Sequence, residues 1–105
     1  MKRVINGKVY NTETATEICD TGSNGGISQS DFNYEDSYLY VTKKGNFFIA
    51  GEGGAMSRFS SSCGQNSYCG GEGIVVVSRE EALELAERAE MDPDEIAEYF
   101  TIVEA

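Results

Sequence analysis

The sequence contains no histidine and no tryptophan. Histidine is the side chain that most often activates a serine or cysteine nucleophile, so its absence argues against the common hydrolase and transferase sites. Activation by Lys43 or Lys44 is formally open, but both are predicted to lie in a solvated hairpin turn. Paired catalytic carboxylates need a shared cleft, which glutamates on an exposed helix do not supply. We therefore expect no enzyme active site and no cofactor.

Cysteine is scarce and odd in number, with Cys19, Cys63 and Cys69 as the three thiols. A small protein without a disulfide framework is typical of a reducing compartment. In the absence of histidine, a zinc site at the Cys63/Cys69 pair would also need Cys19 and a carboxylate. We expect no metal, and the spacing leaves open whether Cys63 and Cys69 form a disulfide.

Long apolar runs are also missing. The N-terminus begins with basic residues but reaches the Asn6-Gly7 turn before an apolar stretch of signal-peptide length develops. No window approaches the roughly 20 apolar residues that a membrane span needs. At 105 residues and 40% hydrophobic content, the chain can build one core. These features predict a cytoplasmic protein with a single domain over residues 1–105.

Negative charge, by contrast, is abundant and uneven. The net charge is −10, and residues 79–105 carry ten acidic and two basic side chains, a balance of −8 that leaves −2 for residues 1–78. Such a field repels nucleic acid and membrane surfaces and favours partners with a basic groove. The alternative is a solvated helix face that only maintains solubility. The eight basic residues look scattered, so we do not expect direct nucleic-acid binding.

The first half of the chain predicts β-hairpins. Asn6-Gly7 between two β-favouring runs is typical of a type I′ turn. Residues 37–42 and 46–50 predict a second hairpin around Lys43-Lys44-Gly45, in a sheet that buries one face and directs Tyr38 and Tyr40 toward its rim. Residues 11–14 predict a turn. Residues 15–21 predict a further strand with Ile18 pointing inward, or else a short helix.

Glycine and serine predict loops over residues 22–30, 51–54 and 60–73, with a short helical turn at 55–59 between the last two. The loop over residues 51–57 follows a strand and resembles a phosphate cradle only weakly, so a tight exit from the hairpin is the favoured interpretation. The β-branched run at residues 74–77 predicts a central strand buried on both faces.

Two helices are predicted at the C-terminus. Ser78 and Glu81 form a capping box for a helix that extends to about Glu90, and Asp92 caps a second helix with Pro93 at its first position. Together these elements predict an α+β domain, with a small antiparallel sheet of about four to six strands followed by a helical hairpin. The outward carboxylates predicted to contact a partner are Glu80, Glu81, Glu84, Glu87, Asp94, Glu95 and Glu98.

The chain as a whole resembles a family of small acidic proteins of phages, plasmids and conjugative elements, some of which are similar to anti-CRISPR proteins. The segments that carry the resemblance are VINGKVYNTETA (4–15), SDF (30–32), YVTKKGNFF (40–48), GEGGA (51–55) and SREEA (78–82). None of these is a catalytic signature. Cys63 and Cys69, each followed by glycine, depart from the family pattern and leave the role of residues 60–73 open.

The resemblance implies a non-enzymatic inhibitor of host defence in the bacterial cytoplasm, bound to a CRISPR–Cas effector. A type II nuclease (Cas9) is the first expectation and a type I surveillance complex the second. The expected mode is an acidic, nucleic-acid-mimicking surface placed in the positively charged channel of the effector. The alternative is an accessory module that engages another host protein through residues 60–73. The oligomeric state is open.

Overall fold

The computed structural model describes residues 1–21, 35–53, 61–64, 67–69, 71–103 and 105, and these residues adopt an α+β fold. The strands are β1 (Lys2–Ile5), β2 (Lys8–Asn11), β3 (Thr16–Asp20), β4 (Glu35–Val41), β5 (Phe47–Gly53), β6 (Ser61–Gly64), β7 (Ser67–Cys69) and β8 (Gly71–Val77). The helices are α1 (Arg79–Arg88) and α2 (Pro93–Tyr99). The predicted fold class is confirmed.

The N-terminal hairpin confirms the Asn-Gly prediction. Asn6 and Gly7 both have positive φ, 52° and 76°, as a type I′ turn requires. Strands β1 and β2 pair antiparallel with Val4 opposite Val9. The predicted turn after β2 is also present, because the Asn11 carbonyl accepts hydrogen bonds from the amides of Thr14 and Ala15 at 3.3 and 3.0 Å.

The central sheet has four antiparallel strands in the order β3-β4-β5-β8. The hairpin between β4 and β5 turns at the predicted place, with Gly45 at φ 85°. The predicted loop at residues 51–54 is wrong for residues 51–53, which belong to β5. A side chain at Gly51 would place its Cβ 2.6 Å from the Cα of Ser37 on β4. Glycine therefore marks a close approach of two strands here, where its frequency in loops suggested an exit from the sheet.

The predicted loop over residues 60–73 is also wrong for most of its length. Strands β6 and β7 form a separate two-stranded sheet within it, and β8 begins at Gly71. Backbone pairing does not need large side chains, so a Gly/Ser-rich composition did not reveal these strands. The predicted helical turn at 55–59 and the predicted loop at 22–30 lie outside the described residues.

The β-branched run of residues 74–77 forms β8, but not as a central strand. Among the described strands, β8 pairs with β5 alone and lies at the edge of the sheet. Val75 and Val76 remain 37% and 41% exposed. An apolar β-branched run indicates strand propensity, whereas the position within a sheet depends on pairing partners that are distant in sequence.

One face of the sheet, which we call the helix face, packs against both helices. Its buried side chains are Leu39, Phe47, Ile49 and Val77 from the strands and Ala82, Ala86, Ile96 and Phe100 from the helical region. Phe47 and Phe100 stack with ring centroids 5.0 Å apart. Ile18 of β3 packs against the same core, which confirms a strand with that residue inward.

The opposite face, which we call the hairpin face, holds a second core. Tyr10 of the N-terminal hairpin meets Phe48 edge-to-face, with ring centroids 5.4 Å apart, and Tyr40 stacks on Phe48 at 5.2 Å. Phe48 is fully buried. The prediction of one buried face with tyrosines at the rim is therefore wrong, because the N-terminal hairpin packs against the side that the tyrosines occupy.

Candidate functional site: an acidic helical face

The candidate site begins with the local signals that start α1. The Ser78 hydroxyl accepts a hydrogen bond from the Glu81 amide at 3.1 Å and donates one to the Glu81 carboxylate at 3.3 Å. The first bond confirms Ser78 as the N-cap of the predicted capping box, and the second joins the Glu81 carboxylate to the Ser78 hydroxyl in place of the Ser78 amide. The buried side of the helix is formed by Ala82 and Ala86, four residues apart. These small side chains allow the helix backbone to lie close to the sheet.

The position of the buried side determines where the glutamates point. Glu80, Glu84 and Glu87 follow the i, i+4, i+7 pattern and are all exposed. At 100° per residue, this row lies on the side of α1 opposite Ala82 and Ala86. The Cβ atoms of neighbouring residues in the row are about 5–6 Å apart. The predicted outer row therefore forms a line of carboxylates that faces away from the protein.

Helix α2 carries further exposed carboxylates. The Asp92 carboxylate accepts a hydrogen bond from the Asp94 amide at 2.9 Å, and Pro93 occupies the first helical position, as predicted. Ile96 is buried, and Asp94 and Glu98, four residues apart, lie on the opposite, exposed side. We call the seven exposed carboxylates of both helices the helical acidic face: Glu80, Glu81, Glu84, Glu87, Asp94, Glu95 and Glu98.

Four of these seven carboxylates also stabilise the helices that carry them. Glu81 belongs to the capping box, and Asp94 and Glu95 lie in the first turn of α2. Negative charge near a helix N-terminus interacts favourably with the helix dipole. Glu80 also lies in the first turn of α1. The dipole interaction is not available to Glu84, Glu87 and Glu98, because these residues lie beyond the first turns.

Arg88 marks one border of the acidic face. It lines a cavity of about 190 Å³ together with Glu81 and Glu84, above Ile49, Val75 and Val77 of the sheet. It also lines a second cavity of about 420 Å³, in which Asp20 of β3 takes part. A guanidinium between carboxylates of two elements limits the acidic field on this side of α1.

A second acidic group was missed in the sequence. The register aligns Asp36 of β4, Glu52 of β5 and Glu72 of β8 side by side on the hairpin face. Like charges directly opposite each other destabilise a sheet, so this row is an unusual feature. The sequence holds only a weak signal for it, because the row exists only once the register of three strands is known.

The pKa of Tyr40 reflects both its burial and the negative charges near it on this face. Burial raises the pKa of Tyr40 above its ordinary value of 10.0, and the nearby carboxylate of Glu17, which is hydrogen-bonded to it, raises it further. Asp36 adds a smaller contribution of the same sign. The phenol is thus held in its neutral form.

The candidate nucleophiles do not gain activating partners among the described residues. Burial raises the pKa of the Cys19 thiol above its ordinary value of 9.0, and the charges of Asp20 and Glu17 raise it further. A raised pKa lowers the reactive thiolate fraction. Lys43 and Lys44 are exposed in the turn between β4 and β5. The side chains of Cys63 and Cys69 lie outside what the structure describes.

The described residues lack a metal-binding cluster and a membrane-spanning helix. They contain no group of three or more Cys, Asp or Glu side chains that could hold a metal ion. Neither α1 nor α2 is long and apolar enough to cross a bilayer.

Comparison of the whole chain with models of protein families, with curated proteins and with solved structures gives no match.

Proposed function

We propose that this protein is a non-enzymatic inhibitor of a CRISPR–Cas effector, and that its helical acidic face occupies a basic nucleic-acid channel of that effector. One observation carries the proposal. The glutamates at positions 80, 84 and 87 form an exposed row opposite the buried side of α1, and Glu98 is equally exposed on α2. The sequence resemblance to proteins of mobile elements suggests the class of partner.

The charge distribution favours this mode of binding. Residues 79–105 carry −8 of the net −10. The channel that holds a guide–target heteroduplex in a Cas9-type effector is positively charged and recognises backbone charge rather than base sequence. Carboxylates at intervals of about 5–6 Å can meet a row of Arg and Lys side chains without any base-like group. The same field would speed the encounter with such a channel.

The fold holds this surface in place. Ala82, Ala86, Ile96 and Phe100 anchor the helical region to the sheet, and Phe100 stacks on Phe47. A surface that is ordered before binding loses less conformational entropy when the complex forms. We therefore expect the protein to bind largely as a rigid body.

Charge reversal tests the proposal. In the test variant, Glu80, Glu84, Glu87 and Glu98 are replaced by lysine. In the control variant, four equally exposed glutamates of the strands and turns, Glu13, Glu17, Glu52 and Glu72, are replaced by lysine. Both variants change the net charge by the same amount. Binding to purified Cas9–guide complex, binding to a type I surveillance complex and target-DNA cleavage are measured for each, with circular dichroism as the check of folding.

We expect the test variant to lose binding and inhibition by at least about a hundredfold, because close interfacial charge pairs contribute several kcal/mol together. The control variant should retain most of both. Equal loss in the two variants would show that net charge alone matters, and an unchanged test variant would contradict the proposal.

The competing function, an accessory module that engages another host protein through residues 60–73, predicts a different result. A contact made by the β6–β7 hairpin would survive charge reversal on the helices. It would also depend little on ionic strength, because added salt weakens interactions between charges and residues 60–73 hold only one charged side chain, Glu72.

A further inference from the structure

Three lysines that are distant in sequence converge on one groove. Lys8 lies at the start of β2, and Lys43 and Lys44 lie in the turn between β4 and β5. All three line a cavity of about 560 Å³ between the two hairpins. We call this cavity the lysine groove. The interpretation of the basic residues as scattered is wrong for these three, because packing of the N-terminal hairpin brings them together.

The lining of the lysine groove is basic and polar. Besides the lysines, it is lined by Gly7, Val9, Tyr10, Asn11, Thr14, Thr42 and Asn46. No carboxylate is among the described residues that line it. In a chain with eighteen acidic and eight basic residues, a cavity lined by three lysines and by no described carboxylate is a local reversal of the net charge.

Both walls of the groove are ordered. On one side, Tyr10 is buried and packs edge-to-face on Phe48, which fixes the hairpin against the sheet. On the other side, the Thr42 amide donates to the Asn46 carbonyl at 2.8 Å, and the Asn46 amide donates to the Thr42 hydroxyl at 3.0 Å. The walls therefore hold their shape without a ligand, as is usual for small-molecule sites.

We propose that the lysine groove binds a small ligand that carries more than one phosphate group. Lysine ammonium groups are common partners of phosphate oxygens, and three of them suit more than one phosphate. A volume of about 560 Å³ falls within the range of about 300–1,000 Å³ that is typical of small-molecule sites.

A small ligand is favoured over a nucleic-acid strand by the charges on the same face. At the other end of β5, about 17 Å from the Phe47 end at roughly 3.4 Å per residue, stands the acidic row of Asp36, Glu52 and Glu72. A phosphate chain that left the groove along the sheet would meet these carboxylates. The proposal is independent of the function proposed for the helical acidic face.

The test is a titration followed by amide NMR, with ATP, pyrophosphate, adenosine and an octathymidylate as the probes. We expect ATP to shift the amides of Gly7, Lys8 and residues 43–46, pyrophosphate to shift a subset, and adenosine to shift few. Replacement of both Lys43 and Lys44 by glutamine should weaken ATP binding by about tenfold or more, and so should Lys8→Gln together with Lys44→Gln. Lys2→Gln together with Arg79→Gln is the matched control, because it removes the same charge and both side chains are exposed without lining the groove.

Three outcomes would overturn the proposal. The first is no shift with ATP at about 10 mM, where even a millimolar complex is mostly formed. The second is equal weakening by Lys2→Gln together with Arg79→Gln, which would indicate a diffuse charge effect. The third is tighter binding of the octathymidylate than of ATP, which would assign the groove to nucleic acid. The amide spectrum of each variant shows directly whether it is folded.

Discussion

The two faces of the central sheet are covered by layers of different kinds. Helices α1 and α2 cover the helix face, and nine of the fourteen exposed residues from 79 to 99 are acidic. The N-terminal hairpin covers part of the hairpin face, where lysines gather at one end and carboxylates at the other. The same strands support both layers. The helix face is thus covered by a layer of mainly negative charge, whereas the hairpin face carries both signs of charge at opposite ends.

The origin of the two charge patterns also differs. On the helices, the pattern arises within one element, since residues three and four apart share a side. On the hairpin face, it arises from the pairing of strands that are far apart in sequence, such as Asp36 with Glu52 and Glu52 with Glu72. We expect the two layers to respond separately when either is perturbed.

The largest expected effect is the loss of stability when either of two adjacent phenylalanines, one in each layer, is replaced. Phe48→Ala removes a fully buried ring from the hairpin face, and Phe47→Ala removes one that is 5% exposed from the helix face. Each should lower the free energy of unfolding by about 3–5 kcal/mol. Hydrogen exchange should then accelerate first in β1 and β2 for Phe48→Ala, but first in α2 for Phe47→Ala. The milder variants Phe48→Leu and Phe47→Leu are measured beside them. If the Phe47 and Phe48 variants accelerated exchange in the same segment, the two layers would not be separate.

A smaller change in stability is expected when one positive-φ residue of each layer is replaced. Gly7 has φ 76° in the hairpin turn, whereas Glu90 has φ 56° just after α1, where the Met91 amide reaches the Ala86 carbonyl at 3.4 Å in a Schellman arrangement. Glu90→Gly should raise the free energy of unfolding by about 0.5–1 kcal/mol, and Gly7→Ala should lower it by about 1 kcal/mol. Urea denaturation measures both. Destabilisation by Glu90→Gly would show that the Glu90 side chain makes a stabilising contribution larger than its backbone strain.

The smallest effect is a pH dependence on the hairpin face. Because burial and the neighbouring Glu17 carboxylate raise the pKa of Tyr40, the unfolded chain loses this proton first. The contribution of Tyr40 to stability is therefore complete below its ordinary pKa of 10.0 and is lost as the pH rises through the folded value. NMR of ¹³C-labelled tyrosine should show Tyr40 titrating above 10.0, and Glu17→Gln should lower its pKa. An unchanged pKa in Glu17→Gln would contradict this account of the field.

The predictable part of the fold is the part with local signals. Ser78 with Glu81, Asp92 with Pro93, and Asn6 with Gly7 each place an element boundary by contacts within a few residues, and the structure has each boundary where it was predicted. The carboxylates of the helical acidic face were identified for the same reason.

The unpredicted part depends on strand pairing. The edge position of β8, the acidic row across three strands and the lysine groove all follow from pairing or packing between distant segments. Glycine at position 51 predicts a loop because glycine is common in loops, although the close approach of Ser37 is what requires it. Local composition could not distinguish these two reasons for a glycine.

The salt dependence of effector binding shows most clearly whether the helical acidic face occupies a basic channel. The dissociation constant for Cas9–guide complex, and for a type I surveillance complex, is measured between about 50 and 500 mM salt for the wild-type protein and for the variant with lysine at positions 80, 84, 87 and 98. If the helical acidic face occupies a basic channel, the affinity of the wild type for its effector falls steeply with salt, and the variant shows a much weaker affinity and a shallower slope. Tight binding by the wild type with little salt dependence, and with the same slope in the variant, would contradict the account.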